Sequence, residues 1–94
     1  MKSVIQKDKE CYICATTMEL QEHHIFFGTA NRKQSEKHGL KVYLCRKHHL
    51  DSRVGVHFNK GLDTYLKRMA QKKFEQTHSR ADFMEAFGRN YLEE

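Results

Sequence analysis

The chain has 94 residues, a formal net charge of +5, seven histidines, three cysteines and no proline or tryptophan. That length allows one small core, the odd cysteine count argues against a disulfide framework, and no apolar run approaches the roughly 18 residues of a membrane-spanning helix. The N-terminus lacks the apolar stretch of a signal peptide, so the expectation is a protein of the reducing cytoplasm with its thiols free. The positive charge favours a polyanionic partner, because lysine and arginine that neutralise phosphates release counterions.

Residues 1–10 are polar and charged and read as a short arm before a single domain over 11–94. Cys11-Tyr12-Ile13-Cys14 has the spacing of a metal-binding knuckle. A strand is expected from about Glu19 to Phe27, where Leu20, Ile25, Phe26 and Phe27 supply apolar bulk and Gly28 ends the run. Gly28 to Gly39 is polar and basic and reads as a long loop of functional length. Lys41-Val42-Tyr43-Leu44 has the composition of a second strand, which would pair with the first as a hairpin and deliver Cys45 at its end. Leu50 to His57 is a connector. Asn59 is placed to cap a helix running to about Thr77, with Leu62, Tyr65, Leu66, Met69 and Phe74 as its apolar stripe. Ser79-Arg80-Ala81-Asp82 reads as a capping box for a short helix through Phe83, Met84 and Phe87, stopped by Gly88. The expected fold class is therefore small α+β, a β-hairpin plus helices.

Two sets of side chains carry chemistry. Cys11-x2-Cys14 and Cys45-x2-His48 are matched pairs across the hairpin, and four such ligands suit a tetrahedral structural Zn2+. His49 could replace His48 as the fourth ligand, since neighbours one position apart are equivalent at this level. The second set is His23, His24, His49 and His57, brought to the mouth of the hairpin beside a basic helix. An imidazole that titrates near neutrality can take a proton from water, and a divalent cation can neutralise a scissile phosphate, so metal-assisted phosphodiester cleavage is the expected chemistry. Asn31 is a candidate for orienting the catalytic histidine. His38 and His78 read as isolated, solvated positions.

The order of motifs resembles the HNH, or ββα-metal (His-Me finger), nucleases: Cys11-Tyr12-Ile13-Cys14, then His23-His24-Ile25, then Leu44-Cys45-Arg46-Lys47-His48-His49. Within that superfamily it is most similar to the phage RecA-dependent (recombination enhancement) nucleases, which carry a later Val-His before a helix, here Val56-His57. The resemblance covers roughly Cys11 to Phe74. It implies a zinc-stabilised endonuclease that hydrolyses DNA in phage replication or recombination, leaving 5′-phosphate and 3′-hydroxyl ends. It implies His24 as the general base, with His23 and His49 as ligands of a catalytic Mg2+ or Mn2+ and His57 as a competing ligand. No Asn stands before the second strand, where Gly39-Leu40-Lys41 occurs, and Asn31 is the nearest substitute. Arg32, Lys33, Lys60 and Lys67 would hold flanking phosphates without reading bases. A recombinase filament is the partner that the subgroup suggests.

Two other classes compete. A non-catalytic zinc-stabilised nucleic-acid-binding module explains the cysteines and the charge but leaves the histidines without a task. A small protein-interaction domain would use Phe83, Met84, Phe87, Tyr91 and Leu92 as a docking surface, whereas packing of those residues on the long helix is the simpler expectation.

Overall fold

The computed structural model describes residues 2–92, so the first residue of the expected arm and the last two of the expected domain lie outside it. The elements run β1 (Leu20–His24), α1 (Thr29–His38), β2 (Lys41–Cys45), α2 (Arg46–Leu50), α3 (Lys60–Phe74) and α4 (Arg80–Phe87). The architecture is small α+β: one antiparallel hairpin and four helices among the described residues. β1 and β2 pair from Leu20 opposite Cys45 to His24 opposite Lys41. Because side chains alternate along a strand, Gln21 and His23 share one face, and Leu20, Glu22 and His24 share the other.

The segment expected as a loop between the strands is the helix α1. Its sequence, TANRKQSEKH, has no apolar stripe, which is why periodicity misses it. It is anchored instead by Ser35, buried with its hydroxyl donating to the Phe26 carbonyl at 2.8 Å and accepting from the Phe26 N–H at 3.1 Å. Its end was legible: Gly39 closes it in the left-handed conformation after Lys37 and His38, the basic last turn that suits the helix dipole.

Residues 2–10 are not a free arm either. They lie along β2, where Val4 N–H donates to the Gly39 carbonyl, Ser3 Oγ to the Lys41 carbonyl, and the Tyr43 N–H to Gln6 Oε1. Gly39 has φ +68°, and a Cβ there would collide with the Lys2 carbonyl, so both the turn and the close approach require glycine.

The core joins the hairpin to the C-terminal helices. Ile25, Phe26, Leu40, Val42 and Leu44 meet Leu66, Ala70 and Phe74 of α3 and Phe83 and Phe87 of α4. Phe26 sits at the centre, 4.4 Å from Phe87 and 5.4 Å from Phe83 and from Tyr91 between ring centroids. The aromatic C-terminal stretch thus packs inward, as the simpler expectation had it. The Asn59 cap and the Ser79/Asp82 capping box form as expected, and α3 ends at Phe74, three residues before Thr77. His38 and His78 are neighbours, not isolated: their rings lie 5.4 Å apart, and His78 stacks on Phe74.

Candidate metal centres

The first centre is built by two turns. The knuckle folds Cys11 to Cys14 around the Ala15 N–H to Cys11 carbonyl bond, and is stitched to β2 by the Tyr12 N–H to Tyr43 carbonyl bond. β2 then ends at Cys45 and passes directly into α2, whose first turn brings His48 back over the strand end. Cys14 Sγ lies 3.8 Å from Cys45 Sγ, and His48 Nδ1 lies 3.3 Å from Cys45 Sγ and 3.6 Å from Cys11 Sγ. A tetrahedral zinc with bonds of ~2.3 Å to sulfur and ~2.0 Å to nitrogen sets S···S and S···N edges of about 3.8 and 3.5 Å. Cys11, Cys14, Cys45 and His48 therefore have the donor set and the spacing to hold a metal ion such as structural zinc.

The electrostatics fit a cation. Burial pushes the Cys11 thiol up, but the N–H groups of Cys45, Cys14 and Ile13 aimed at its sulfur outweigh that and lower it to about 6. Cys14 moves the other way: the Thr16 N–H lowers it, while desolvation and the adjoining Cys11 and Cys45 sulfurs raise it more. Crowded thiolates repel one another, and a dication among them removes that repulsion.

α2 also settles the choice between His48 and His49. Successive helical residues point about 100° apart, so with His48 on the sulfurs His49 must face elsewhere. It faces Gln21, whose Oε1 lies 2.6 Å from His49 Nδ1 and accepts its proton. That bond leaves the Nε2 lone pair directed at the second centre, where it lies 3.1 Å from His57 Nε2.

The second centre is His23, His49 and His57, with ligand atoms mutually within 4.8 Å. His23 is 2% exposed, and its Nε2 is buried with no hydrogen-bond partner among the described residues. A buried, unpaired nitrogen is costly in a folded protein and marks a place where something else completes the site. Burial, then the neighbouring His49 and His57, lower the His23 imidazole to about 3, so it is neutral and ready as a ligand. His57 reaches the site because the connector folds tightly. Gly55 passes so close to Asp51 that a Cβ would lie 2.6 Å from its backbone, and the next residue, Val56, donates its N–H to the His48 carbonyl. Phe27 closes one side, 5.1 Å from the His57 ring.

The expected convergence of His24 with His23 and His49 is not found. Adjacent strand residues face opposite ways, so His24 lies on the outer face, where its Nε2 is 2.8 Å from Glu36 Oε1 and 3.8 Å from Glu22 Oε1. The place beside His23 and His49 belongs to His57. Glu22, His24 and Glu36 could themselves group around a cation, but Lys41 Nζ already occupies that position, 3.0 Å from Glu36 and 3.4 Å from Glu22. Asn31, the expected orienting group, is not the residue at the His24 ring. It lies in the first turn of α1, and Glu36, more than a turn later, is the residue that meets His24. Neither Gln21 nor Glu36 was among the residues expected at the sites. Gln21 has a legible signal, since it shares the face of His23 two positions on.

The donor set also bears on the cation. Three imidazole ligands suit Zn2+, Mn2+ or similar transition metals, whereas Mg2+ demands oxygen ligands and fits poorly. Of the expected phosphate contacts, Arg32 and Lys33 on α1 and Lys60 at the start of α3 are exposed. Lys67 is not free in the same way: its Nζ is 2.8 Å from Asp63 and 4.5 Å from the Phe27 ring centroid.

Acid should destabilise the metal-free second centre. The His23 imidazole is held near 3 in the folded state against 6.5 otherwise, so between those values the unfolded chain binds the extra proton. Stability is complete above pH 6.5 and is lost as pH falls, by about 1.5 kcal/mol between pH 6.5 and 5. Urea unfolding at the two pH values checks this, and a His23→Gln variant should lose that part of the pH dependence. An unchanged dependence in the variant would show that His23 is not the cause.

Comparison of the chain with protein families, with curated proteins and with solved structures gives no match. No helix among the described residues is long and apolar enough to cross a membrane.

Proposed function

We propose that the chain is a metal-dependent endonuclease of the ββα-metal kind that hydrolyses phosphodiester bonds in DNA. The observation that carries the reading is the His23/His49/His57 cluster, with a buried unpaired Nε2 at its centre and a separate Cys3His centre bracing the hairpin. Proteins that need only a scaffold have no use for the second cluster. The net charge of +5 supports an anionic polymer as substrate.

In this reading His23, His49 and His57 hold the cation, Gln21 fixes the His49 tautomer, and Phe27 keeps one side dry. When bound, the cation supplies neutralisation of the scissile phosphate and of the departing oxygen. His24 takes the proton from water. Glu36 accepts from its Nε2–H, which leaves Nδ1 as the basic nitrogen, and Lys41 holds Glu36 in place. Among the described residues β1 pairs with β2 alone, so a backbone crossing its other edge meets His24 on one face and the cluster on the other.

The test is supercoiled plasmid incubated with the zinc-containing protein, with and without added Mn2+, Zn2+ or Mg2+. Nicked and then linear DNA should form with Mn2+ or a similar transition metal, less or none with Mg2+, and none without a cation. Binding without nicking under every condition would leave the non-catalytic module as the correct reading.

A further inference from the structure

The docked N-terminal segment and the outer face of β2 enclose a cleft of about 670 Å3 that meets the proposed cleavage site only at its inner end, at Lys41 and Glu22. Its rim carries Lys2, Lys7 and Lys9, its floor includes the half-buried Tyr43 ring, and its inner end is the Lys41–Glu22 pair. Lys41 is already engaged by two carboxylates. Among the described residues no carboxylate pairs with Lys2, Lys7 or Lys9, and Lys9 Nζ lies 5.6 Å over the Tyr43 ring. Asp8 and Glu10 line a second hollow, which shares Gln6 and Lys7 with the cleft. The cleft is thus basic at its rim and aromatic at its floor, and its shape depends on the contact of residue 2 with Gly39.

We propose that this cleft binds a segment of single-stranded nucleic acid, with phosphates on Lys2, Lys7 and Lys9 and an unstacked base against Tyr43. A positively charged groove with an aromatic platform is the arrangement that holds single strands, because every base has a stacking face. A duplex keeps its base faces inside and can use the lysines alone. An acidic peptide would match the charge but not the ring. The cleft opens on the face of the hairpin that carries Glu22 and His24, so a strand seated there leads toward the end of β1. Resting on the endonuclease reading, this names the substrate class: DNA with a single-stranded or flapped segment beside the cut.

The test is fluorescence anisotropy with a labelled oligothymidylate of about twelve nucleotides, in the site-size range of single-strand binders, over a series of salt concentrations and without divalent cation. The Lys7→Glu/Lys9→Glu variant should bind at least about tenfold more weakly, and its salt slope should fall by about 1.4, for two phosphates lost at ~0.7 each. Tyr43→Leu should weaken the single strand about fivefold or more at unchanged salt slope, and leave binding of a duplex of equal length unaltered. Lys72→Glu/Lys73→Glu, the same charge change on exposed residues of α3, is the control and should cost less than about threefold. The proposal is overturned if the two double variants weaken binding equally, or if Tyr43→Leu binds the single strand as the natural chain does. Zinc content and circular dichroism verify that each variant is folded, and the double variants alter only exposed side chains. Because no divalent cation is added, the result is independent of cleavage. A chain that nicks plasmid without these effects loses the cleft and keeps the nuclease reading, and the converse holds.

Discussion

Cys45→Ser should unfold the domain. The knuckle at residues 11–16 has no helix or strand of its own and contributes one buried side chain, Cys11, to the core. Among the described residues the sheet is a single two-stranded hairpin, which alone is marginal in water. Structural zinc in small domains supplies apparent free energies of about 10–16 kcal/mol, as large as the whole stability of about 5–15 kcal/mol expected of a folded domain. Removing one thiolate therefore removes more than the fold has to spare. The expected result is one zinc per natural chain by elemental analysis, none in the variant, and loss of the cooperative thermal transition. A strong chelator acting on the natural chain should reproduce it. A variant without zinc that melts at the natural temperature would show that the four ligands are only a buried polar cluster.

His57→Ala should abolish nicking and leave the fold intact. His57 is exposed on the connector, so its ring adds little to the core, while its Nε2 stands 3.1 Å from that of His49. Loss of an outer partner of a metal ligand typically costs about 10–100-fold, and loss of a ligand itself should exceed that. The variant should retain its zinc at Cys11, Cys14, Cys45 and His48, and should lose the visible absorption of Co2+ titrated into the second centre. His24→Ala separates two roles within the same assay. A lost general base costs about 100–10,000-fold, but Co2+ binding at the cluster should be unaltered. Full activity in His57→Ala would remove the cluster from the reaction, whereas full activity in His24→Ala would remove only the base.

How much of this was legible varies with the physics involved. The Cys11/Cys14 and Cys45/His48 pairs could be read directly, because ligand spacing within a tight turn is a local property. The choice between His48 and His49 could not, since it depends on where α2 begins and hence on a 100° rotation per residue. The helix α1 was hidden because its only buried side chain is a serine, and its stabilising contact, to the Phe26 backbone, is tertiary. That His24 parts from His23 was legible in principle. A doublet inside a strand must split across the sheet, and two-residue periodicity would have set Gln21 beside His23 and Glu22 beside His24. The docking of residues 2–10 depends on Gly39, whose close approach no local pattern announces.

The five residues of α2 have a consequence for how this protein can change. Arg46 and Lys47 are exposed, and neither their charge nor their size is used by either centre, so many side chains could stand there. Their number is another matter. One residue inserted or deleted between Cys45 and His48 would turn both imidazoles by about 100° and carry His48 off the sulfurs and His49 off His57 in a single step. This stretch should therefore accept substitution readily and tolerate no change in length.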